Sequence, residues 1–368
     1  MAKEAKRIII SGGGTGGHIF PAIAIANALK RLAPDTEVLF VGAKGRMEME
    51  KVPAAGYKII GLEIQGINRK SLVKNLLLPF KLWSSIRKSK AIIKEFRPDA
   101  VVGVGGYASG PLLHAAGKMG IPYVIQEQNS YAGITNKRLG AKAALICVAF
   151  EGMGRFFPKE KLLLTGNPIR REAVDIAGKE FEAKELLGLD HDKKTILLTG
   201  GSLGAKTLNE SMLAGLEKLN QAGLQVLWQC GSYYYKQLDA ELNNRHDDHV
   251  ILKPFLHRMD FAYAAADVII ARAGAGTIAE LCAVGKPVIL VPSPNVAEDH
   301  QTKNALALTA KSAAILVRDD LAKDTLIDAA IELVQDKEQC KVLAAKIKKM
   351  AKLDADEQIA SKVLTLAK

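Results

Sequence analysis

Twice in this chain a short apolar run gives way to a glycine-rich turn and then to a helical pattern. Arg7–His18 reads RIIISGGGTGGH, and Thr195–Lys206 reads TILLTGGSLGAK. Strand, glycine turn and helix start, in that order, open a βαβ unit, and a chain built of such units folds as a parallel sheet covered by helices. Because the opening recurs near residue 195, the 368 residues are expected to hold two such sheets, at about 100–200 residues per domain.

The rest of the chain keeps that rhythm. Candidate strands are Arg7–Ser11, Glu37–Gly42, Tyr57–Ile64, Ala100–Val104, Tyr123–Glu127 and Leu145–Phe150, with helix-like stretches such as Ile19–Leu32 and Leu72–Phe96 between them. After Gly166-Asn167-Pro168, a hinge by composition, come Thr195–Thr199, Gln225–Cys230, Val250–Lys253, Val268–Ala271, Pro287–Val291 and Ala314–Val317, then a helical tail from Thr325. The expected domains are residues 1–165, residues 166–345, and a C-terminal helix over 346–368 that returns to the first domain. The expected fold class is α/β, with two Rossmann-like, doubly wound parallel-sheet domains facing a cleft. Ligands of such sheets sit at the carboxyl ends of the strands, which assigns both glycine turns to that cleft.

Charge separates the two halves. Residues 1–165 carry 25 Lys and Arg against 11 Asp and Glu, a net of +14, whereas residues 166–368 carry 26 against 28, a net of −2. The first half is therefore expected to meet an anionic partner, either nucleic acid or a membrane surface. With 48% apolar residues, the composition excludes disordered and fibrous classes. Cys147, Cys230, Cys282 and Cys340 are too far apart for a zinc site or a CxxC pair, and are expected as buried thiols in a reducing cytosol. No apolar run approaches the about 20 residues of a membrane span. Ile8–Ile10 passes at once into Ser11 and three glycines, as a first strand does and a signal peptide does not.

The glycine turns narrow the chemistry. Gly12, Gly14 and Gly17 fit G-x-G-x-x-G, but the second strand ends Leu39-Phe40-Val41-Gly42 without the acid that a dinucleotide ribose needs. Gly200–Thr207 fails the Walker A spacing because Ala205 separates Gly204 from Lys206. What survives is a backbone that can approach phosphate, beside a helix N-terminus. A third turn is VGVGGYASGP at Val102–Pro111, and a fourth is RAGAGTIAE at Arg272–Glu280, with a helix expected from about Thr277. Gly274 and Gly276 suit a diphosphate neutralised by the helix dipole without metal. Glu280, one turn in, reads either as a ribose acceptor or as an exposed helix residue. His18 ends the first turn at a helix start that favours neutral imidazole, and reads as a base or an acceptor-orienting group. Glu127-Gln128-Asn129 follows a strand and reads either as a sugar-binding set or as a turn capping a helix near Ala132.

Asn68–Arg97 carries nine cations and one acid, Glu95, interleaved with apolar residues. Leu72, Leu76, Phe80 and Trp83 recur at helical spacing, although Pro79 should interrupt the helix. An apolar face edged by cations fits an anionic membrane surface. A core-packed helix with a basic back fits as well.

Together the segments SGGGTGGHIFPA, GVGGYASGP, EQN, TGNPIR, TGGSLGA, RAGAGTIAE and DHQTKNA, in that order along nearly the whole chain, resemble one family. It is the family of bacterial enzymes that add N-acetylglucosamine to the lipid-linked muramoyl-pentapeptide precursor of peptidoglycan. The resemblance implies a GT-B glycosyltransferase fold. It implies UDP-N-acetylglucosamine as donor, an undecaprenyl-diphosphate-linked acceptor, and no nucleic-acid partner. It further implies a peripheral place on the anionic cytoplasmic face of the inner membrane, with Leu76, Phe80 and Trp83 as anchors. No cofactor is required, a divalent cation serving at most as a stimulant.

Carried over by position, the resemblance puts Thr15, Gly16, Gly17, Asn129 and Arg170 at the donor. Ser202 would bond the diphosphate, and Leu256 would lie at the uracil mainly through its backbone. Ala275, Gly276, Thr277, Ile278, Ala279 and Glu280 would cradle phosphate and ribose, and Gln301 would reach the sugar. Gly105, Gly106 and Tyr107 would serve the acceptor with His18, the expected base, for which Glu127 is the alternative. Leu203 and Gln126 depart from the pattern, where some members have Gln and His. A UDP-N-acetylglucosamine 2-epimerase would share fold and donor, but leaves the basic, apolar segment without a purpose.

Overall fold

In the computed structural model, which describes residues 5–65, 78–245, 247 and 249–367, the chain divides into two compact units. One is Met1–Ile169 with Leu353–Lys368, the other Arg170–Lys352. The first unit runs β1 Arg7–Gly12, α1 Gly16–Leu32, β2 Glu37–Ala43, α2 Glu48–Ala54, β3 Lys58–Leu62, α3 Leu78–Phe96, β4 Ala100–Gly105, α4 Ser109–Lys118, β5 Tyr123–Glu127, α5 Ile134–Gly140, β6 Leu145–Val148 and β7 Leu162–Leu164. The second runs α6 Arg171–Val174, α7 Glu180–Leu187, β8 Thr195–Thr199, α8 Lys206–Gln221, β9 Gln225–Gln229, α9 Ser232–Arg245, β10 Val250–Lys253, α10 Met259–Ala265, β11 Val268–Ala271, α11 Ala275–Val284, β12 Val288–Leu290, α12 His300–Thr309, β13 Ile315–Leu316, α13 Ala322–Gln335 and α14 Lys337–Lys348. α15, Ala355–Leu366, belongs to the first unit.

Among the described residues each unit holds one parallel sheet, ordered β3-β2-β1-β4-β5-β6-β7 in the first and β10-β9-β8-β11-β12-β13 in the second. Both are doubly wound, so the strand order reverses between β1 and β4 and between β8 and β11. Beyond the carboxyl ends of those pairs the helices diverge to opposite faces and leave a crevice. The glycine turns after β1, β4, β8 and β11 all lie at these reversal points. The strands are buried on both faces, as in Ile8, Ile9 and Ile10 of β1 and Ile196, Leu197 and Leu198 of β8, which explains their unbroken apolar runs.

Several expectations need correction. β7 is not among the candidate strands, three leucines being too few to show a period. The expected boundary at 345/346 falls inside α14. The chain leaves the second unit after Lys352, and α15 buries Ile359, Ala360 and Val363 in the cluster that holds Ile8, Ile10 and Ile25. Arg31 of α1 pairs with Asp356 at 2.7 Å. The other boundary lies at Ile169/Arg170, four residues beyond the one expected. Cys340 is half-buried, unlike the other three thiols.

Among the described residues Pro79 lies in the first turn of α3, and the helix runs unbroken from there to Phe96. Leu72 and Leu76 lie outside the described residues. Ser85, Ser89, Ile92 and Ile93 face the core, whereas Phe80 and Trp83 are 67% and 57% exposed. Their rings are 6.1 Å apart, and Arg87 stands 5.8 Å from the Trp83 ring. The apolar amino-terminal half of this helix is therefore not core. Among the described residues no helix is long and apolar enough to cross a membrane.

Candidate active site

In the first unit the turn after β1 is shaped by glycine. Gly14 has φ +85°, and α1 begins where the Thr15 carbonyl accepts the N–H groups of His18 and Ile19, at 3.1 and 3.2 Å. The His18 ring folds back over the turn, with Nδ1 3.0 Å from the Gly13 carbonyl and 3.3 Å from Thr15 Oγ1. A carbonyl only accepts, so this contact puts a proton on Nδ1, and in the neutral form of the ring Nε2 is then the basic nitrogen. From β4, Gly105 (φ +105°) and Gly106 (φ +89°) press against the same turn. A Cβ on Gly105 would stand 2.5 Å from His18 Cδ2, and one on Gly106 would stand 2.4 Å from the Gly13 carbonyl oxygen. The Tyr107 ring is half exposed beside them, with the Arg46 guanidinium 5.9 Å from its centroid.

Below the turn lies a carboxylate that pattern reading missed. Glu48, at the start of α2, is 1% exposed. Its Oε2 accepts the Gly14 N–H at 2.8 Å and its Oε1 accepts the Ala43 N–H at 3.0 Å. The acid absent from the end of β2 is thus supplied six residues after Gly42, but it is aimed into the backbone and not toward a ribose. An acid at a short helix start just beyond a strand's carboxyl end was the available signal.

At the end of β5 the structure separates three neighbours. Glu127 is buried. Its Oε1 accepts the Asn129 N–H at 3.1 Å, and its Oε2 accepts the Gly133 N–H and Asn136 Nδ2 at 3.0 and 2.8 Å. Burial pushes its pKa up, against the pull of those donors. Gln128 turns inward and donates to the Val104 carbonyl at 2.9 Å. Glu127 thus builds the turn into α5, which is capped at Gly133 and begins at Ile134, while Gln128 ties the strand end to β4. Asn129 stays partly exposed. Gln126 donates to Asn167 Oδ1 at 2.8 Å, and Asn167 donates to the Gln128 carbonyl at 3.0 Å, so the residue expected to mark a hinge is tied into the first unit.

In the second unit Ser202 and Leu203 are exposed on the turn after β8. Gln229 ties that turn to the segment after β10, donating to the Gly201 carbonyl at 3.0 Å and accepting the Leu256 N–H at 3.4 Å. Leu256 itself is buried. α11 begins at Ala275, two residues before the expected start, with Gly274 as its cap. The N–H groups of Ala275, Gly276 and Thr277 therefore precede the first intrahelical bond, from Ile278 to the Gly274 carbonyl at 2.9 Å. A Cβ on Gly276 would meet nothing within 4 Å. Ile278 is buried, Ala279 half-buried.

Glu280 is not a free surface residue. Its Oε1 accepts from Arg170 Nε and Nη2 at 3.2 and 3.0 Å, and its Oε2 accepts from the buried Tyr263 hydroxyl at 3.2 Å. Burial, then the Glu280 charge, pushes the Tyr263 pKa well above its usual value. Gln301 Oε1 accepts the Ser293 N–H at 2.9 Å. Just before it, Glu298 and Asp299 take left-handed φ values of +56° and +51°, a strained entry to α12. Arg272 pairs with Asp319, which also accepts from Thr207 Oγ1 at 3.0 Å, joining the turn after β11 to the start of α8.

Among the described residues no group of three or more His, Cys, Asp or Glu is placed to hold a metal ion. The two Asp-x-Asp triplets serve the fold: Asp190 Oδ1 accepts the Asp192 N–H at 2.9 Å, and Asp356 of the other triplet pairs with Arg31.

Two doubly wound sheets, each with glycine turns and a helix start at its reversal point, make up the GT-B architecture. The crystal structure of Acinetobacter baumannii MurG shares the architecture, at 29% identity and TM-score 0.79 over 98% of this chain and 99% of that one. Residues 8–148 match the glycosyltransferase family 28 N-terminal domain and residues 195–359 the family 28 C-terminal domain. The chain belongs to glycosyltransferase family 28. Among curated relatives, a Phocaeicola vulgatus protein is 54% identical over 99% of this chain and 97% of its own length. One from Parabacteroides distasonis is 52% identical over 98% of each. Both bear the name UDP-N-acetylglucosamine–N-acetylmuramyl-(pentapeptide) pyrophosphoryl-undecaprenol N-acetylglucosamine transferase.

Proposed function

We propose that this enzyme transfers N-acetylglucosamine from UDP-N-acetylglucosamine to the 4-hydroxyl of undecaprenyl-diphosphate-linked N-acetylmuramoyl-pentapeptide. The product is the β-1,4-linked lipid intermediate of peptidoglycan synthesis. The end-to-end likeness to relatives of that name carries this reading. The donor is α-linked and the product β-linked, so one displacement inverts the anomeric carbon. The acceptor oxygen bonds to that carbon as its bond to the diphosphate breaks, and UDP leaves with the electron pair.

The second unit holds the donor. The N–H groups of Ala275, Gly276 and Thr277, with Ser202, meet the charge that grows on the diphosphate. Packing does not require the glycine at 276, and its bareness suits close approach of a phosphate. Glu280 takes the ribose, held by Arg170 and Tyr263. Leu256 borders the uracil, and Gln301 reaches the sugar. In this scheme the leaving charge is met by the protein, and a divalent cation only stimulates.

The first unit holds the acceptor, along Gly105, Gly106 and Tyr107, while Thr15, Gly16, Gly17 and Asn129 attend the donor sugar. His18 Nε2 takes the hydroxyl proton, a role worth about 100- to 10,000-fold in rate. Glu127 is the weaker choice, since both of its oxygens are committed to the turn into α5.

The exposed Phe80 and Trp83, among cations, support a peripheral seat on the anionic cytoplasmic face of the inner membrane. Replacing both by Ser should weaken binding to anionic vesicles; unchanged binding would remove this seat.

The deciding assay incubates the enzyme with labelled UDP-N-acetylglucosamine and the lipid-linked muramoyl acceptor. Acceptor-dependent transfer of label into lipid is expected. Acceptor-independent isomerisation of the donor would overturn the reading in favour of an epimerase.

A further inference from the structure

One peptide group joins Glu48 to His18. The Gly14 N–H, which donates to Glu48 Oε2 at 2.8 Å, and the Gly13 carbonyl, which accepts from His18 Nδ1 at 3.0 Å, are the two ends of the peptide between Gly13 and Gly14. The order is carboxylate, N–H, C=O, imidazole. A carboxylate on the N–H end polarises the amide and makes its carbonyl a stronger acceptor, as cooperative hydrogen-bond chains do. The arrangement does for His18 what a carboxylate does directly in catalytic triads, where it selects tautomer and orientation.

The fit is built and not incidental. Glu48 is buried, its second oxygen is anchored on the Ala43 N–H at 3.0 Å, and two glycines make room for it. A Cβ on Gly13 would fall 2.2 Å from Glu48 Oε1, and one on Gly42 would fall 2.6 Å from Glu48 Cγ.

We propose that Glu48 is a positioning residue for transfer, acting through the Gly13–Gly14 peptide to hold His18 as the Nδ1–H tautomer with Nε2 as proton acceptor. This rests on the assignment of His18 as the base. The negative charge also favours the imidazolium that forms during transfer. Arg46, over Tyr107 at the same turn, opposes it in sign.

The test is Glu48→Gln. Glutamine can accept one of the two N–H groups but turns its own amide N–H toward the other. The variant should lose kcat by about 10-fold or more, with little change in donor KM. The acid limb of its kcat–pH profile should move to lower pH, because the charge that favours imidazolium is gone. Nitrogen-15 NMR of labelled histidines, with His18 assigned by its loss in His18→Gln, should show Nδ1–H in the parent and a mixture of tautomers in the variant. A merely structural glutamate would lower Tm and leave tautomer and acid limb unmoved, which overturns the proposal. Should Glu48→Gln not fold, the same readouts on Glu48→Asp, shorter by one methylene, decide in the same way. Failure of the underlying reading looks different: His18→Gln would then keep its turnover, whatever the tautomer.

Discussion

Arg170 places two guanidinium nitrogens, Nε and Nη2, on a single oxygen of Glu280, at 3.2 and 3.0 Å. The other oxygen belongs to Tyr263. One of these donors is the second residue after Pro168, 110 positions before the carboxylate it holds, so no local pattern could have paired them. The pair is half exposed on the arginine side, at 41% against 14%, so its worth lies in aiming the carboxylate rather than in stability. Arg170→Lys should raise the donor KM by about 10-fold, since an ammonium cannot reproduce the planar fork. Tyr263→Phe should cost about 1–2 kcal/mol of stability by removing a buried hydrogen bond to a charged group. Urea unfolding at unchanged m value would measure it.

Gly105 has no room for a side chain beside His18, the proposed base. Its φ of +105° disfavours any other residue, and a Cβ would meet His18 Cδ2 and Nε2 at 2.5 and 2.8 Å. Gly105→Ala should strain the turn by about 1–3 kcal/mol and reduce kcat far more than it weakens donor binding. Equal losses in both would mean that the turn does not position the base.

Glu127 carries a pH dependence of defined sign. Its folded pKa is raised by burial, so between the ordinary carboxylate value of about 4.3 and the folded value the native state keeps a proton that the unfolded chain releases. The Glu127 contribution to stability therefore falls as pH rises through that window. Glu127→Gln lacks this titration, but turns amide hydrogens toward the donors from Asn129, Gly133 and Asn136. Urea midpoints of both proteins from pH 4.5 to 7.5 should show the parent's advantage shrinking with rising pH. A constant gap would contradict the shift.

The thiols should sort by burial. Cys147 and Cys282 are pushed up to about 12, and Cys230 to about 11, chiefly by burial. The thiolate is the reactive form, so a thiol reagent at pH 8 should label the half-buried Cys340 of the native protein first. All four should react in denaturant. Rapid native labelling of Cys147 or Cys282 would contradict the packing of β6 or α11.

The β/α rhythm, the two parallel sheets and the four glycine turns were legible in the chain itself. They rest on properties that repeat locally: apolar runs for strands buried on both faces, and glycine where a strand turns sharply into a helix. The place of His18 at the end of the first turn was legible for the same reason, since it is set by local sequence.

What tertiary structure alone decided is where side chains at strand ends point and which distant groups they meet. Glu127 and Asn129 are two residues apart, yet Glu127 is fully buried and Asn129 stays partly exposed. Phe80 and Ile92 share one helix, yet only Ile92 joins the core. Glu48 reaches Gly14 across 34 positions, and α15 crosses back from the second unit to cover α1. Sequence pattern sets backbone conformation through local energetics; the pairing of remote groups is set by packing, where burial demands a partner for each polar atom and the fold selects which one is near.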